Sequence, residues 1–341
     1  MSLPIRLIDM GPAPPVRTQA VYSAIAESMT EADPDTIVFT QPTAPCICVG
    51  FHQDAHAILD VGQIDSPALP IVRRHLGGGT VYLDEHQWFY ECIFHKRRAP
   101  KGVSALYDTL LTPVVNGLQE LGLDSTLRPP NEIEISGNRI AGTGAGQIGE
   151  AMVVVGNILL DFPPEKMARL WKVPSEAFRS LALDGLDQHI TTLRKEMTSV
   201  PSSDDLAALM TKHYARHLGR TVEPGVLSEK EEHLLAEMET LLVSREWVSE
   251  HGSLRSNGLK ISARAFIKEG QSGTNGDTKR MTVRLVDGKV ANAILSPPND
   301  TFAAMALKKT PAELLSVDLS VFGNDHWTPE DISTVLSQIE N

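Results

Sequence analysis

Arg73-Arg74-His75-Leu76-Gly77-Gly78-Gly79-Thr80-Val81-Tyr82-Leu83-Asp84 is the stretch around which the rest of the chain is read. Arg73 and Arg74 supply fixed positive charge on planar forks that suit carboxylate or phosphate oxygens. Gly77, Gly78 and Gly79 have no Cβ, so their amides can approach an anion closely. Residues 69–72 read as a strand and so do residues 80–83, which sets the glycines at a strand-to-strand bend. A Walker loop needs Gly-Lys-Ser/Thr opening a helix, and that motif does not occur here. A glycine-rich hairpin with solvent-facing arginines is the plain alternative, and three glycines alone favour it. The arginine pair before them and Asp84 after them tip the reading towards an anion site.

At 341 residues the chain has material for one large domain or two ordinary ones. Its 42% hydrophobic and 22% charged residues match an ordinary globular composition. A formal charge of −12 argues against a general nucleic-acid binder, which needs a basic face. No apolar run reaches membrane-span length, and the N-terminus lacks a secretory layout. Cys46, Cys48 and Cys92 cannot make a disulfide framework and suit a reducing cytoplasm.

Upstream of the arginines, residues 3–10 read as a strand closed by Gly11-Pro12, and residues 16–29 as a helix. Residues 36–40 and 46–50 are short β-rich runs. Cys46 and Cys48 share one side of theirs, where two small buried side chains are favoured over a metal or thiolate pair. Residues 60–67 connect this strand to the arginines.

Downstream, residues 88–94 form an aromatic strand expected to be half buried. Residues 104–121 have helical spacing and close on Gly122. Residues 131–135 alternate as a strand, and Ser136-Gly137-Asn138 turns into a further strand from Arg139. Gly144, Gly146 and Gly149 fit Gly-x-Gly-x-x-Gly, but a dinucleotide fingerprint opens a helix, and residues 152–161 read as strand. A nicotinamide site is therefore rejected. Further helices are expected from Glu165 to Trp171, after Ser202 as far as Leu218, and over 228–243. His213 and His217 stand four apart on the second of these; a solvated face is favoured over a metal pair.

The whole string from Arg73 to Asp84 resembles the Arg-Arg-x-x-Gly-Gly-Gly-x-Val-x-x-Asp signature of lipoate-protein ligases, within the biotin/lipoate ligase and octanoyltransferase superfamily. Gly50-Phe51-His52-Gln53-Asp54 looks like the family's glycine and polar pair after its second strand. Asn131-Glu132 stands where the family has Asn-Asp near nucleotide and magnesium; alone, it would read as an exposed strand start. Gly137-Asn138-Arg139-Ile140-Ala141-Gly142 and Gly156-Asn157-Ile158-Leu159-Leu160 resemble the next two family segments. One departure is central. Arg139 occupies the position of the family's lysine, which keeps the charge but spreads it over a bulkier fork that does not deprotonate. Val154 and Val155 stand where the family has a histidine.

The resemblance implies an α+β fold: a catalytic domain of mixed and antiparallel sheets flanked by helices over 1–245, of the class II aminoacyl-tRNA synthetase and biotin-ligase kind. A small α+β accessory domain over 246–341 follows, with strands at 259–267, 281–286 and 289–295, a flexible turn at 268–278, and short helices near 299–308, 311–316 and 328–338. It implies ATP with magnesium, lipoate or octanoate as substrate, and a lipoyl-domain carrier as partner, such as a 2-oxoacid dehydrogenase E2 or the glycine-cleavage H protein.

In that reading Arg139 is the catalytic residue, and Arg74 with Arg139 meets the acyl carboxylate or adenylate phosphate. Arg73, Gly77, Gly78, Gly79, Thr80, Val81, Tyr82, Ile140, Ala141, Gly142 and Gly156 surround substrate and ATP, with Asp84 fixing the loop. Asn131 and Glu132 orient magnesium. Val72, Val81 and Ile140 line an apolar tunnel. The alternatives are an octanoyltransferase fed by an acyl carrier, and a carrier-binding protein whose transfer Arg139 impairs. No cysteine lies between Arg139 and Asp161, which weakens a covalent transferase.

Overall fold

A computed structural model describes residues 3–60, 69–250, 258–273, 278–324 and 326–341. Most of the connection expected at 60–67, and residues 274–277 of the expected flexible turn, lie outside these. The chain divides into two compact units, residues 1–163 with 191–254, and residues 164–190 with 255–341. A division at 245/246 keeps 164–190 with the first unit, whereas its packing groups it with the C-terminal sheet. No helix among the described residues is long and apolar enough to cross a membrane.

The first unit is built on an eight-stranded sheet. Its strands are β1 (Ile5–Ala13), β2 (Thr36–Pro42), β6 (Gln87–His95), β7 (Ser125–Arg128), β8 (Glu132–Ile135), β9 (Asn138–Ile148), β10 (Ala151–Leu159) and β11 (Val222–Pro224). Their order is β11-β1-β2-β6-β10-β9-β8-β7. A second, three-stranded sheet has β3 (Cys46–Val49) between β4 (Ile71–Arg73) and β5 (Val81–Leu83). Sheets flanked by helices are the architecture expected from the sequence.

Two apolar layers cover the large sheet. On one face, Trp88, Tyr90, Cys92 and Phe94 of β6 pack against helices Val103–Glu120 and Ser203–Leu218. On the other, Phe89 and Ile93 meet helix Pro15–Ser28, helix Glu229–Leu241 and the small sheet through Cys46, Cys48, Val72 and Leu83. All nine residues of β6 are buried, against the half-buried strand expected. A strand covered on both faces has no solvent side, so apolar side chains replace the usual alternation.

Gly156 of β10 shows how tight the helix-side layer is. A Cβ there would lie 2.3 Å from the Tyr90 hydroxyl oxygen, which itself reaches Thr143 Oγ1 at 3.2 Å. Gly156→Ala therefore overpacks the core and costs about 1–3 kcal/mol. Urea unfolding of this variant alone and combined with Tyr90→Phe reads that cost, and no loss in the single variant would sink the account.

In the second unit, β12 (Gly258–Lys260), β13 (Ala265–Ser272), β14 (Lys279–Val286) and β15 (Lys289–Ser296) form an antiparallel sheet in that order. The single strand expected at 259–267 is two strands, because the chain reverses between Lys260 and Ala265 and β12 pairs back on β13. The β14–β15 hairpin matches its Asp287-Gly288 signal, both residues having positive φ. Helices Asp300–Ala306, Pro311–Leu315 and Pro329–Glu340 cover one face.

Candidate active site

The glycine loop is not a hairpin. β4 runs parallel to β3 on one side, and β5 runs antiparallel on the other, so residues 74–80 cross the end of β3. Gly78 sits at φ +97°, and a Cβ on Gly50, at the end of β3, would lie 2.0 Å from the Gly78 carbonyl oxygen. Both positions need glycine, one for its dihedral and one for the close approach.

The two arginines divide the work of holding this crossing. Arg73 is fully buried. Its guanidinium donates to the carbonyls of Gly50, Phe51, Gln53 and Val248, at 2.7 to 3.2 Å. Its own carbonyl accepts from Trp247 Nε1 at 2.9 Å. Burial lowers its pKa, with Asp54 pulling the other way. Arg74 donates to the carbonyls of Gly77 and Gly79 at 2.7 and 2.8 Å and reaches Cys48 more weakly. Both guanidinium groups are thus bonded to main chain rather than left open for an anion. Trp247 and Val248 brace the loop from 174 and 175 residues away, a distance along the chain that leaves no local signal.

Thr80 donates to Gln53 Oε1 at 2.7 Å, tying the loop to residues 50–54. Tyr82 and Asp84 are buried, and Asp84 accepts from the His86 amide at 3.0 Å, a fixing contact.

β9 carries the second half of the site. Gly142, Gly144 and Gly146 point to the small-sheet side, since Gly144 pairs with Val155, which faces that layer. Cβ atoms at Gly144 and Gly146 would meet Gly77 O at 3.6 Å and Leu76 Cδ2 at 2.9 Å. These glycines clear room for the crossing loop, a reason unrelated to dinucleotides. Gly149 serves the β9–β10 turn at φ +52°.

A bulge decides where Arg139 points. Ile133 pairs with Ala141, yet the next residue, Glu134, pairs with Arg139, so Ile140 is the extra residue. Ala141 and Ile140 face the helix-side core. Without the bulge Arg139 would follow Ala141 to that side. With it, Arg139 shares the side of Glu134, Glu132 and Gly142, which is the side of the glycine loop. Arg139 Nη1 lies 3.9 Å from Glu132 Oε1, and its buried Nε has no hydrogen-bond partner among the described residues. Desolvation lowers its pKa and Glu132 opposes that, and an arginine stays cationic under either.

Not every expected site residue joins this face. Ile140 belongs to the opposite apolar layer from Val72 and Val81, so the three cannot line one tunnel. Gly156 accommodates Tyr90 on that same opposite side. Asn131 donates to the Thr143 carbonyl at 2.5 Å. With the Asn131 amide on main chain and Glu132 buried beside Arg139, the pair offers a cation one carboxylate and one amide oxygen. No group of three His, Cys, Asp or Glu side chains suited to a metal occurs among the described residues. His213 is buried and bonds Glu120 Oε2 at 3.0 Å, so it is not on a solvated face.

Behind the loop lies a buried polar patch. Cys48 reaches Gln19 Oε1 at 3.5 Å, and the Tyr22 phenol is influenced by Cys48, Arg74 and Glu91. Neither carboxyl oxygen of Glu91 has a hydrogen-bond partner among the described residues, and burial holds its pKa well above the usual range. Burial likewise pushes the Cys92 thiol up to about 12 and raises that of Cys46.

A family model for the lipoyl protein ligase A/B catalytic domain matches residues 14–215. The octanoyltransferase LipM of Symbiobacterium thermophilum is 24% identical over 250 residues, covering 67% of this chain and 91% of its own. The bi-partite lipoate protein ligase of Thermoplasma acidophilum, studied with its E2 lipoyl domain, has a similar structure with a TM-score of 0.66. It is 22% identical, over 74% of this chain and 98% of its own. P. falciparum LipL1, in complex with lipoate, gives a TM-score of 0.58 at 11% identity over 98% of this chain and 99% of its own. These structural likenesses show a shared fold. Because the family model spans more than half of the sequence, including the glycine loop and the bulged strand of Arg139, the chain belongs to the lipoyl protein ligase A/B catalytic-domain family.

Proposed function

We propose that the protein is an ATP-dependent lipoate-protein ligase. The carboxylate of lipoate or octanoate attacks the α-phosphate of ATP, forming an acyl-adenylate and releasing pyrophosphate. A lysine amine of a lipoyl-carrier domain then attacks the acyl carbon, and AMP leaves. Negative charge gathers on phosphate oxygens in the first half and on the carbonyl oxygen in the second. Fixed cations and amides lower both barriers because they need no reorganisation.

The observation that supports this reading most is the bulge that turns Arg139 onto the glycine-loop side. From Arg139 to Gly144 the strand runs about 16 Å, and the residues on that side between them include Gly142, which leaves the floor bare. An extended acyl-phosphate fits such a floor, with Arg139 at the phosphate and carbonyl end. Arg139 cannot take up a proton, so its part is charge stabilisation and orientation. Arg73 and Arg74 shape the loop through its carbonyls. Val81, half-buried at the start of β5, offers apolar surface for the acyl tail. Magnesium would come with the nucleotide, as it commonly keeps water and phosphate oxygens as ligands.

A second reading, octanoyl transfer from an acyl carrier, is favoured by the LipM relatives. Against its covalent form stand the buried positions of Cys46, Cys48 and Cys92 in β3 and β6. LipM covers 67% of the chain, whereas the lipoate-bound LipL1 resembles 98% of it, second unit included. That extent supports the ligase.

Intact mass of a lipoyl domain, incubated with the protein, Mg-ATP and lipoate or octanoate, tests this. A gain of one acyl group that requires ATP is expected. Gain only from an octanoyl-carrier donor would transfer the assignment to the second reading, and no gain from either source would leave a carrier-binding protein.

A further inference from the structure

The sheet of the second unit contains a buried arginine that makes no ion pair among the described residues. Arg280, Thr282 and Arg284 point from β14 to the side of helix Glu176–His189, alternate to Met281 and Val283 in the core on the other side. Arg280 is paired there with Glu269 at 3.0 Å, and Thr282 donates to the same carboxylate at 2.6 Å. Arg284, two residues on, is 7% exposed, and its Nε and Nη1 have no hydrogen-bond partner among the described residues.

The surroundings of Arg284 are built around it. Gly185, in the middle of the helix, would place a Cβ 3.8 Å from Arg284 Cδ, so the stem of the arginine crosses the helix where it is bare. One helical turn further, the buried Nε2 of His189 also has no hydrogen-bond partner among the described residues, and His189 is influenced by Arg284, Arg264 and Asp287. Arg264 is bonded to Asp287, with contacts of 3.1 Å from its Nε. A bulge in β15 opposite Arg284 distorts the sheet at this point. Among the described residues, two guanidinium groups and an imidazole thus cluster with the Asp287 carboxylate, and the Arg284 guanidinium is buried. Burying an unpaired charge is among the costliest arrangements in a protein, and a bound counter-ion relieves it.

We propose that Arg284, His189 and Arg264 form an oxyanion-binding site in the second unit, suited to a phosphate group. Arg284 supplies two donors from its buried edge, as guanidinium forks do for phosphate, and His189 Nε2 supplies a third. This site is distinct from the residues assigned above to acyl activation and stands whether or not that assignment does.

Thermal unfolding of the full chain with inorganic phosphate, against sodium chloride at equal ionic strength, tests it. A saturable upward shift is expected for the wild type and for Arg139→Ala. Arg284→Met should lose it, and His189→Gln should weaken phosphate by at least about threefold. His189→Gln provides the reading if Arg284→Met does not fold. Running AMP beside phosphate separates free phosphate from phosphate esters, and an Arg284-dependent shift from either supports the site. No saturable shift beyond chloride would overturn it, as would a shift that Arg284→Met and His189→Gln both retain.

Discussion

Arg139→Ala lowers ATP-dependent acyl transfer to a lipoyl carrier by roughly a hundredfold or more, the scale for losing one preorganised donor to a developing oxyanion. The loss should fall mainly on kcat, because the charge it answers grows in the transition state and is smaller in bound substrate. Stability should change little. Among the described residues the Arg139 side chain makes one ion pair, at 3.9 Å, so alanine removes little that holds the fold. Arg139→Lys is the informative companion. It preserves the charge as a compact ammonium, so activity within about tenfold of wild type, or above it, means charge on this face is what transfer needs. Measuring AMP release and acyl-carrier mass together distinguishes the two half-reactions. If Arg139→Ala transfers as well as wild type, Arg139 has no catalytic part, and the glycine loop would have to supply the charge stabilisation alone.

What could be read from the sequence was mostly local. Three glycines after two arginines, the Ser136-Gly137 turn and the Asp287-Gly288 hairpin are decided by residues a few positions apart, and each appears where expected. The site faces were harder, because they depend on pairing. Counting alternation from Ala141 puts Arg139 on the helix side, and only the Ile133/Glu134 register shift reverses it. The same shift removes Ile140 from the tunnel. Arg73 looked like half of an anion site because an Arg-Arg pair carries no mark of which member is buried. Its partners at 50–53 and 248 are brought to it by β3 and by helix Arg245–Glu250. Gly144 and Gly146 matched a nucleotide pattern by spacing while serving a steric need created by the loop at 77. The grouping of 164–190 with the C-terminal sheet also left no local signal, since a helix that covers a sheet far along the chain has the same amphipathic spacing as one that covers a neighbouring sheet.

Glu91→Gln should stabilise the protein at neutral pH, by a margin that grows as pH rises. Glu91 pairs with Val155 and Val38 in the middle of the large sheet, facing helix Pro15–Ser28 and the small sheet, with no exposure. Desolvation raises its pKa well above the ordinary 4.5. In the unfolded chain the carboxyl ionises near that ordinary value, while the folded protein keeps its proton to higher pH. Above it the native state therefore binds the extra proton, and stability falls with rising pH until the folded pKa is passed. The slope for one proton is about 1.4 kcal/mol per pH unit. Glutamine has nearly the same shape and no proton to lose, so the variant escapes this decline, while every other titrating group is common to both proteins. Urea unfolding at pH 5, 6 and 7 should show the advantage of Glu91→Gln widening by roughly 2–3 kcal/mol across that range, provided the folded pKa lies above it. A constant difference across the series would mean that native Glu91 is ionised. Arg74 and Glu91 both act on the Tyr22 phenol of this patch, which makes Arg74 the cation to test. In that case Glu91 would draw on the same guanidinium that holds the carbonyls of Gly77 and Gly79, and its replacement would loosen the loop and lower acyl transfer as well. Assaying transfer on the same samples therefore separates a neutral acid lodged in the core from a carboxylate that steadies the glycine loop.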